Sequence, residues 1–216
     1  MTWPSDRWKP VLRKVCGVTR AQDARHASRA GANAIGMIFY PPSPRSITVD
    51  QAEGLAAAVP DGVRRVGVFV DERPEDIAAI ARRAGLHTVQ LSGRESAPDC
   101  SAVRSIVGRG IEVWKSVRVG PGFDAAGLDA YDADAFLLDT ARSGSFGGTG
   151  AVFPWELAAL VKPLGRIIVA GGLDGSNVAE AARTARPWGV DSSSRLEIRP
   201  GVKDPAKVES YLRAVL

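Results

Sequence analysis

Cys16, in KVCGVT (14–19), closes a β-branched run that begins at Val11, and a helix-like stretch follows it. A cysteine in that position fits two readings. It is either a small apolar filler facing a core or a thiol at the mouth of a site, where its thiolate does chemistry. Asp139, in LLDT (137–140), poses the same choice. A carboxylate directly after an apolar strand either caps the next element or holds a proton for transfer. Together the two side chains have the makings of a base and an acid. Three short segments are suited to an anion: GGTG (147–150), which contains Gly148; the pair Gly171–Gly172; and the run Ser192–Ser194. Glycine- and serine-rich turns after strands expose backbone N–H groups that can surround a phosphate. Each alone is an ordinary turn, but three together point to phosphate binding, with Gly148, Gly171, Gly172, Ser193 and Ser194 as its residues. Arg45 in the loop PPSPRS, Gln90 and Ser92 in VQLSG, Lys115 and Arg118 in EVWKSVRV, and Asp191 in GVDSSS complete the polar inventory. Cys100 carries no assigned role.

These residues share a position relative to a repeating pattern. Short β-branched or apolar runs occur at 12–18, 34–40, 64–70, 87–93, 112–119, 134–140, 166–172 and 188–194. Amphipathic stretches separate them. Helices are expected after Thr19, after Thr48 and from Arg73, then over 98–108, 123–130, 153–160, 176–185 and 205–215. Pro74 suits a first helical turn, and Gly85 suits a helix end. Eight strand–helix units imply a parallel sheet, and eight close naturally into a (β/α)8 (TIM) barrel. An open doubly wound sheet would have five or six strands and a Gly-rich turn after the first. Here the first turn is CGVT, and the glycine clusters come late. With 216 residues, each unit has about 27, which suits a small barrel. One domain over 1–216 is expected, with residues 1–11 as an N-terminal extension. Active sites of such barrels lie at the C-terminal ends of the strands, where all of the polar residues above fall.

The bulk composition narrows the partners. The hydrophobic share is 45%, and the net charge is +4 with Lys and Arg dispersed along the chain. Dispersed charge argues against a nucleic-acid surface and is compatible with a small anionic ligand. The two cysteines have no metal-ligand or framework spacing, so neither a metal site nor disulfides are expected, and a reducing cytoplasm is the natural compartment. The segment MTWPSDRWKPVLRK lacks the apolar stretch of a signal peptide. No apolar run reaches the roughly 18 residues of a membrane span.

Taken in order, KVCGVTRAQDA, AIGMIFYPPSPRSI, VGVFVDERPEDI, VQLSG, LLDT with GGTG, IIVAGGL, and GVDSSS with PGVKDP resemble the phosphoribosylanthranilate isomerase family of tryptophan biosynthesis. The resemblance runs from about Arg13 to the C-terminus. It implies an eight-fold barrel, with Cys16 as general base and Asp139 as general acid. The implied substrate is N-(5-phosphoribosyl)anthranilate, rearranged without cofactor or metal to 1-(2-carboxyphenylamino)-1-deoxyribulose 5-phosphate. Arg45 would meet the anthranilate carboxylate, and Asp191 would lie close to the sugar or hold a loop. Gln90 would be a further substrate contact. A monomer or a homodimer is compatible with the sequence.

Two positions depart from the family pattern. Ser92 stands in VQLSG where the family usually has histidine, and Arg195 stands in SSRLE where it usually has glycine. Neither removes the acid or the base. They leave room for a paralogous phosphosugar isomerase of altered range, or for a non-catalytic phosphosugar-binding barrel, which would need neither Cys16 nor Asp139. Among related phosphosugar barrels, indole-glycerol-phosphate synthase needs a lysine and glutamate set that KVCG does not supply. The aminoimidazole-carboxamide ribotide isomerase has an aspartate where Cys16 stands.

Overall fold

Strand β1 (Leu12–Val15) pairs in parallel with β2 (Ala34–Ile38), and the ladder continues through β3 (Arg64–Phe69), β4 (Thr88–Leu91), β5 (Glu112–Val119), β6 (Ala135–Thr140) and β7 (Arg166–Val169) to β8 (Gly189–Ser192). In this computed structural model, which describes residues 9–120, 122–140 and 154–216, β8 returns to pair with β1 and closes the ring. The register Leu12↔Gly189 through Val15↔Ser192 joins strands from opposite ends of the chain.

The helices are α1 (Ala21–Arg29), α2 (Val49–Ala56), α3 (Pro74–Arg83), α4 (Ala97–Val107), α5 (Val178–Ala185) and α6 (Pro205–Arg213). Their starts follow local chemistry. Thr48 and Gln51 exchange side-chain and backbone hydrogen bonds in a capping box at α2, and Ser96 and Asp99 do so at α4. Such boxes satisfy N–H groups that the helix itself leaves unpaired. Pro74 occupies the first turn of α3, as its fixed φ favours.

Two expected helices are absent among the described residues. The stretch 123–130 yields only a 3₁₀ turn, Leu128–Ala130. Gly127 precedes it with φ +79°, outside the helical region, and the remaining residues are too few to nucleate an α-helix. Of the stretch 153–160, the described part, from Pro154 on, holds 3₁₀ structure over Trp155–Leu160, and a further 3₁₀ turn, Lys162–Leu164 with Pro163 in it, follows. A small antiparallel hairpin, β9 (Glu197–Arg199) and β10 (Val202–Lys203), follows β8 and was not expected.

Two apolar layers hold the barrel. A large one lies between strands and helices, including Val15, Ile35, Phe69, Leu91, Leu138 and Val169. A smaller one, including Leu12, Ala34, Val66, Trp114, Ala135 and Ile168, occupies the interior. The interior is sealed at the strand N-termini. Trp114 meets Trp188 edge-on, with centroids 5.9 Å apart. The Arg64 and Arg166 guanidinium carbons lie 5.8 and 4.7 Å from the Trp114 and Trp188 ring centroids, and Glu112 pairs with both arginines. Side chains alternate faces along a strand. The inward ladder above Leu12 is therefore Lys14 and then Cys16, and the one above Ala135 is Leu137 and then Asp139.

Candidate active site

Above this floor the barrel opens into a cleft of about 1040 Å³, its open mouth included. Its lining includes Cys16, Arg45, Gln90, Asp139, Gly171, Gly172, Asp191, Ser193 and Ser194, so nine of the ten residues given a catalytic or substrate-binding role from sequence line one space. Gly148, with the rest of GGTG, lies outside the described residues.

Cys16 is 6% exposed, and its N–H donates to the Ser192 carbonyl at 2.8 Å. Gly36 on β2 makes room for it, because a Cβ there would stand 2.6 Å from Sγ. One ladder step below, fully buried Lys14 donates from Nζ to Asp191 Oδ2 at 3.0 Å, and its charge also acts on the Cys16 thiol. Burial pulls the Lys14 pKa down, but Asp191 and Cys16 more than offset it, so the ammonium is held above its ordinary value. The thiol moves the same way for a different reason. Burial raises its pKa, Lys14 pulls against that, and Asp191 adds to it. A thiol lowered toward neutrality by nearby positive charge is therefore not what the site holds. Desolvation outweighs Lys14.

Asp139 shows the complementary behaviour. Burial lifts its pKa from 3.8 to about 6, opposed by a 2.8 Å hydrogen bond from the Thr140 N–H and by Arg118. A carboxyl of that kind keeps part of its proton near neutral pH, as a general acid requires. Gly171, at φ +82°, lets the end of β7 pass beside it, since a Cβ there would stand 2.8 Å from Asp139 Oδ1 and clash with Thr140. Gly172 is also left-handed, at φ +68°.

The Ser193 hydroxyl donates to the Cys16 carbonyl at 3.0 Å, tying the Ser193–Ser194 turn to the first loop. Gln90 donates to the Ser92 hydroxyl at 3.0 Å. Gln90 Oε1 and Asp191 Oδ1 are buried acceptors with no protein donor, and buried acceptors are normally satisfied. Hydroxyls of a sugar are the complementary donors. Arg45 lines the cleft, but its Nε and Nη2 donate to Glu197 at 2.8–3.0 Å. Arg195 sits at the rim, its side chain 47% exposed and its Nη1 3.9 Å from Asp174 Oδ2. No group of three or more metal-ligating side chains occurs among the described residues.

Sequence reasoning passed over Lys14, Gly36, Glu197 and Lys203. A signal for Lys14 was available, since a lysine two residues before Cys16 in a strand shares its face. Glu197 and Lys203 become significant only when the chain brings them to Arg45.

A family model described as N-(5'phosphoribosyl)anthranilate (PRA) isomerase matches residues 13–214. The chain is 48% identical over 204 residues to the N-(5'-phosphoribosyl)anthranilate isomerase of Solibacter usitatus, covering 94% of this chain and 96% of that protein. It is 42% identical to that of Rubrobacter xylanophilus, covering 93% and 97%. Among solved structures, the phosphoribosyl anthranilate isomerase of Thermotoga maritima superposes with a TM-score of 0.86 at 35% identity, covering 95% of this chain and 98% of that one. A phosphoribosyl anthranilate isomerase in complex with reduced 1-(o-carboxyphenylamino)-1-deoxyribulose 5-phosphate superposes at 0.82 and 33% identity, with the same coverage.

Proposed function

The chain belongs to the N-(5'-phosphoribosyl)anthranilate isomerase family and isomerises N-(5-phosphoribosyl)anthranilate in tryptophan biosynthesis, and from that premise we propose how its residues divide the reaction. Asp139 is the acid. It gives its proton to the furanose ring oxygen, and the C1′–O bond breaks as the nitrogen lone pair forms the cationic Schiff base. Cys16 is the base. Its thiolate takes the C2′ proton, and the electrons of that C–H bond neutralise the imine to an enolamine, which tautomerises to the ketone.

The pairing is supported by one observation: Cys16 and Asp139 line the same cleft from strands three apart around the ring. Their pKa values set the resting protonation. Near neutral pH the proton the pair shares lies mainly on the thiol, because the thiol is raised above its ordinary value and Asp139 titrates at about 6. The reactive arrangement is the reverse, with the proton on Asp139 and the charge on sulfur. Lys14 stabilises that thiolate, and the cationic imine adds to the effect once it forms. Each proton is thus accounted for by protein groups, and the step calls for no cofactor.

Phosphate binds the backbone N–H groups of Gly171, Gly172 and the Ser193–Ser194 turn, with Gly148 of GGTG as the remaining part of the cradle. Asp191 and Gln90 accept from the ribose hydroxyls, and Arg45 meets the anthranilate carboxylate. The enzyme works in the cytoplasm on this small molecule, as a monomer or homodimer, without nucleic acid or membrane. A single barrel domain carries it, residues 1–11 being an extension. Cys16→Ala and Asp139→Asn each lower kcat by about 10²–10⁴-fold with the fold retained by circular dichroism. Cys16→Ser does nearly the same damage, since a hydroxyl is a far weaker base. Near-normal turnover in any of these variants removes the role given to that residue.

A further inference from the structure

Glu197 lies on the β9–β10 hairpin, and its side chain is 3% exposed. Its carboxylate accepts from Arg45 Nε at 2.9 and 3.0 Å, from Arg45 Nη2 at 2.8 Å, from Lys203 Nζ at 2.8 Å and from the Gly201 N–H at 3.3 Å. Lys203 Nζ continues to the Ser193 carbonyl at 3.1 Å. One buried anion thus ties the loop after β2 to the turn after β8. The hairpin is anchored in turn, because Thr19 Oγ1 donates to the Gly201 carbonyl at 2.6 Å and the Lys203 N–H donates to Asp23 Oδ2 at 3.1 Å. Gly17 lets these loops converge, since a Cβ there would stand 2.7 Å from Arg45 Cδ and 2.9 Å from Ser193 Oγ. Of Glu197 and its two cations, Arg45 is the one that lines the cleft.

We propose that Glu197 is a positioning residue that fixes which edge of the Arg45 guanidinium faces the substrate and, through Lys203, holds the Ser193 turn. This rests on Arg45 as the carboxylate contact. With Nε and one N–H of Nη2 occupied, Arg45 presents its Nη1 end, together with the second N–H of Nη2. Glu197 therefore selects the end-on edge over the side-on one. A planar carboxylate still receives two parallel hydrogen bonds from that edge.

The test compares N-(5-phosphoribosyl)anthranilate with the corresponding aniline ribotide, which lacks the carboxylate. Glu197→Gln keeps the shape and removes the charge. It should raise KM for the anthranilate substrate about 10- to 100-fold, the range of a charged hydrogen bond, with kcat changed less than about threefold. The rise should be several-fold smaller for the aniline compound, leaving the part due to the Ser193 turn. Glu197→Asp, measured alongside in case the Gln variant is poorly folded, should show the same selectivity at lower amplitude. Equal KM rises for the two substrates, an effect on kcat alone, or no effect overturns the proposal. Arg45→Met separates the two levels. If it raises KM equally for both substrates, the carboxylate reading itself fails. If it discriminates and the Glu197 variants do not, only the positioning role falls.

Discussion

Asp139→Asn should make the protein slower and more stable at once. In the fold, Asp139 binds its proton more tightly than in the unfolded chain, because burial lifts its pKa from 3.8 to about 6. A raised folded-state value contributes stability that is fully present below the unfolded pKa and is lost as pH rises through the folded one. The window is therefore about pH 4 to 6. Above it, the native state carries an ionised carboxylate that its surroundings disfavour by roughly two pKa units, an upper figure of about 3 kcal/mol. Asparagine keeps the shape and the acceptor for the Thr140 N–H and never ionises. At pH 7.5 the variant should gain about 1–3 kcal/mol, which at about 2–4 °C per kcal/mol for a chain of this size raises Tm by roughly 2–12 °C. Thermal unfolding of both proteins from pH 4 to 8, without substrate or phosphate, reads this directly. The gap should be widest above pH 6.5 and close toward pH 4. An Asn variant no more stable than the parent at pH 7.5, or a gap independent of pH, would refute the claim that burial strains this carboxylate.

The shared proton predicts a plateau in kcat/KM between about pH 6.5 and 8.5, because each unit that ionises the thiol tenfold also strips Asp139 tenfold. A tenfold rise per unit across that range would mean the thiolate alone limits the reaction. Gly36→Ala brings a Cβ to 2.6 Å from Cys16 Sγ, so sulfur must retreat by about 1 Å from it to reach ordinary contact. A displacement of that size can lower turnover about 10²-fold, and the loss should vanish in a Cys16→Ala background. Loss of turnover by the same factor in both backgrounds would show that Gly36 acts on something other than the thiol. Arg195→Gly should alter KM by a few-fold with kcat nearly constant, the mark of a group that binds ground and transition states alike. A large fall in kcat would place Arg195 in the chemistry.

The barrel was legible because its signals are local and repeated. Eight β-branched or apolar runs define the ring, and the polar or glycine-rich residues near the ends of most of them mark the rim where chemistry gathers. The connections after β5 and β6 were less legible. Apolar residues at 123–130 mimic a short helix, and only the backbone of Gly127 shows that the chain turns instead. The hairpin after β8 escaped notice because three residues and two residues make no periodic pattern. The family motifs led to Cys16, but its protonation could not be read from them. Sequence places Lys14 beside it without disclosing that Asp191 shares the same ammonium, or that the thiol is buried deeply enough for desolvation to prevail. Arg45 was read as a ligand-facing fork, and Glu197, 152 residues away, was needed to show which edge is already occupied.

The register that closes the ring also sets an order of events. Lys14 and Asp191 are separated by 177 positions, and the Cys16 N–H reaches the Ser192 carbonyl across the same seam. Such distant partners meet only after a loop spanning most of the chain has closed, which is slow and entropically expensive. During synthesis the thiol leaves the ribosome well before the strand that supplies its partner's counter-ion. Before β8 docks, Cys16 lacks both the Ser192 carbonyl that receives its N–H and the Lys14–Asp191 pair below it, so its thiol should react with alkylating reagents more readily than in the closed barrel. Protection of Cys16 from a pulse of thiol reagent during refolding would thus time the last seam of the barrel, and protection that arrived before β8 had docked would show that the seam is not what shields it.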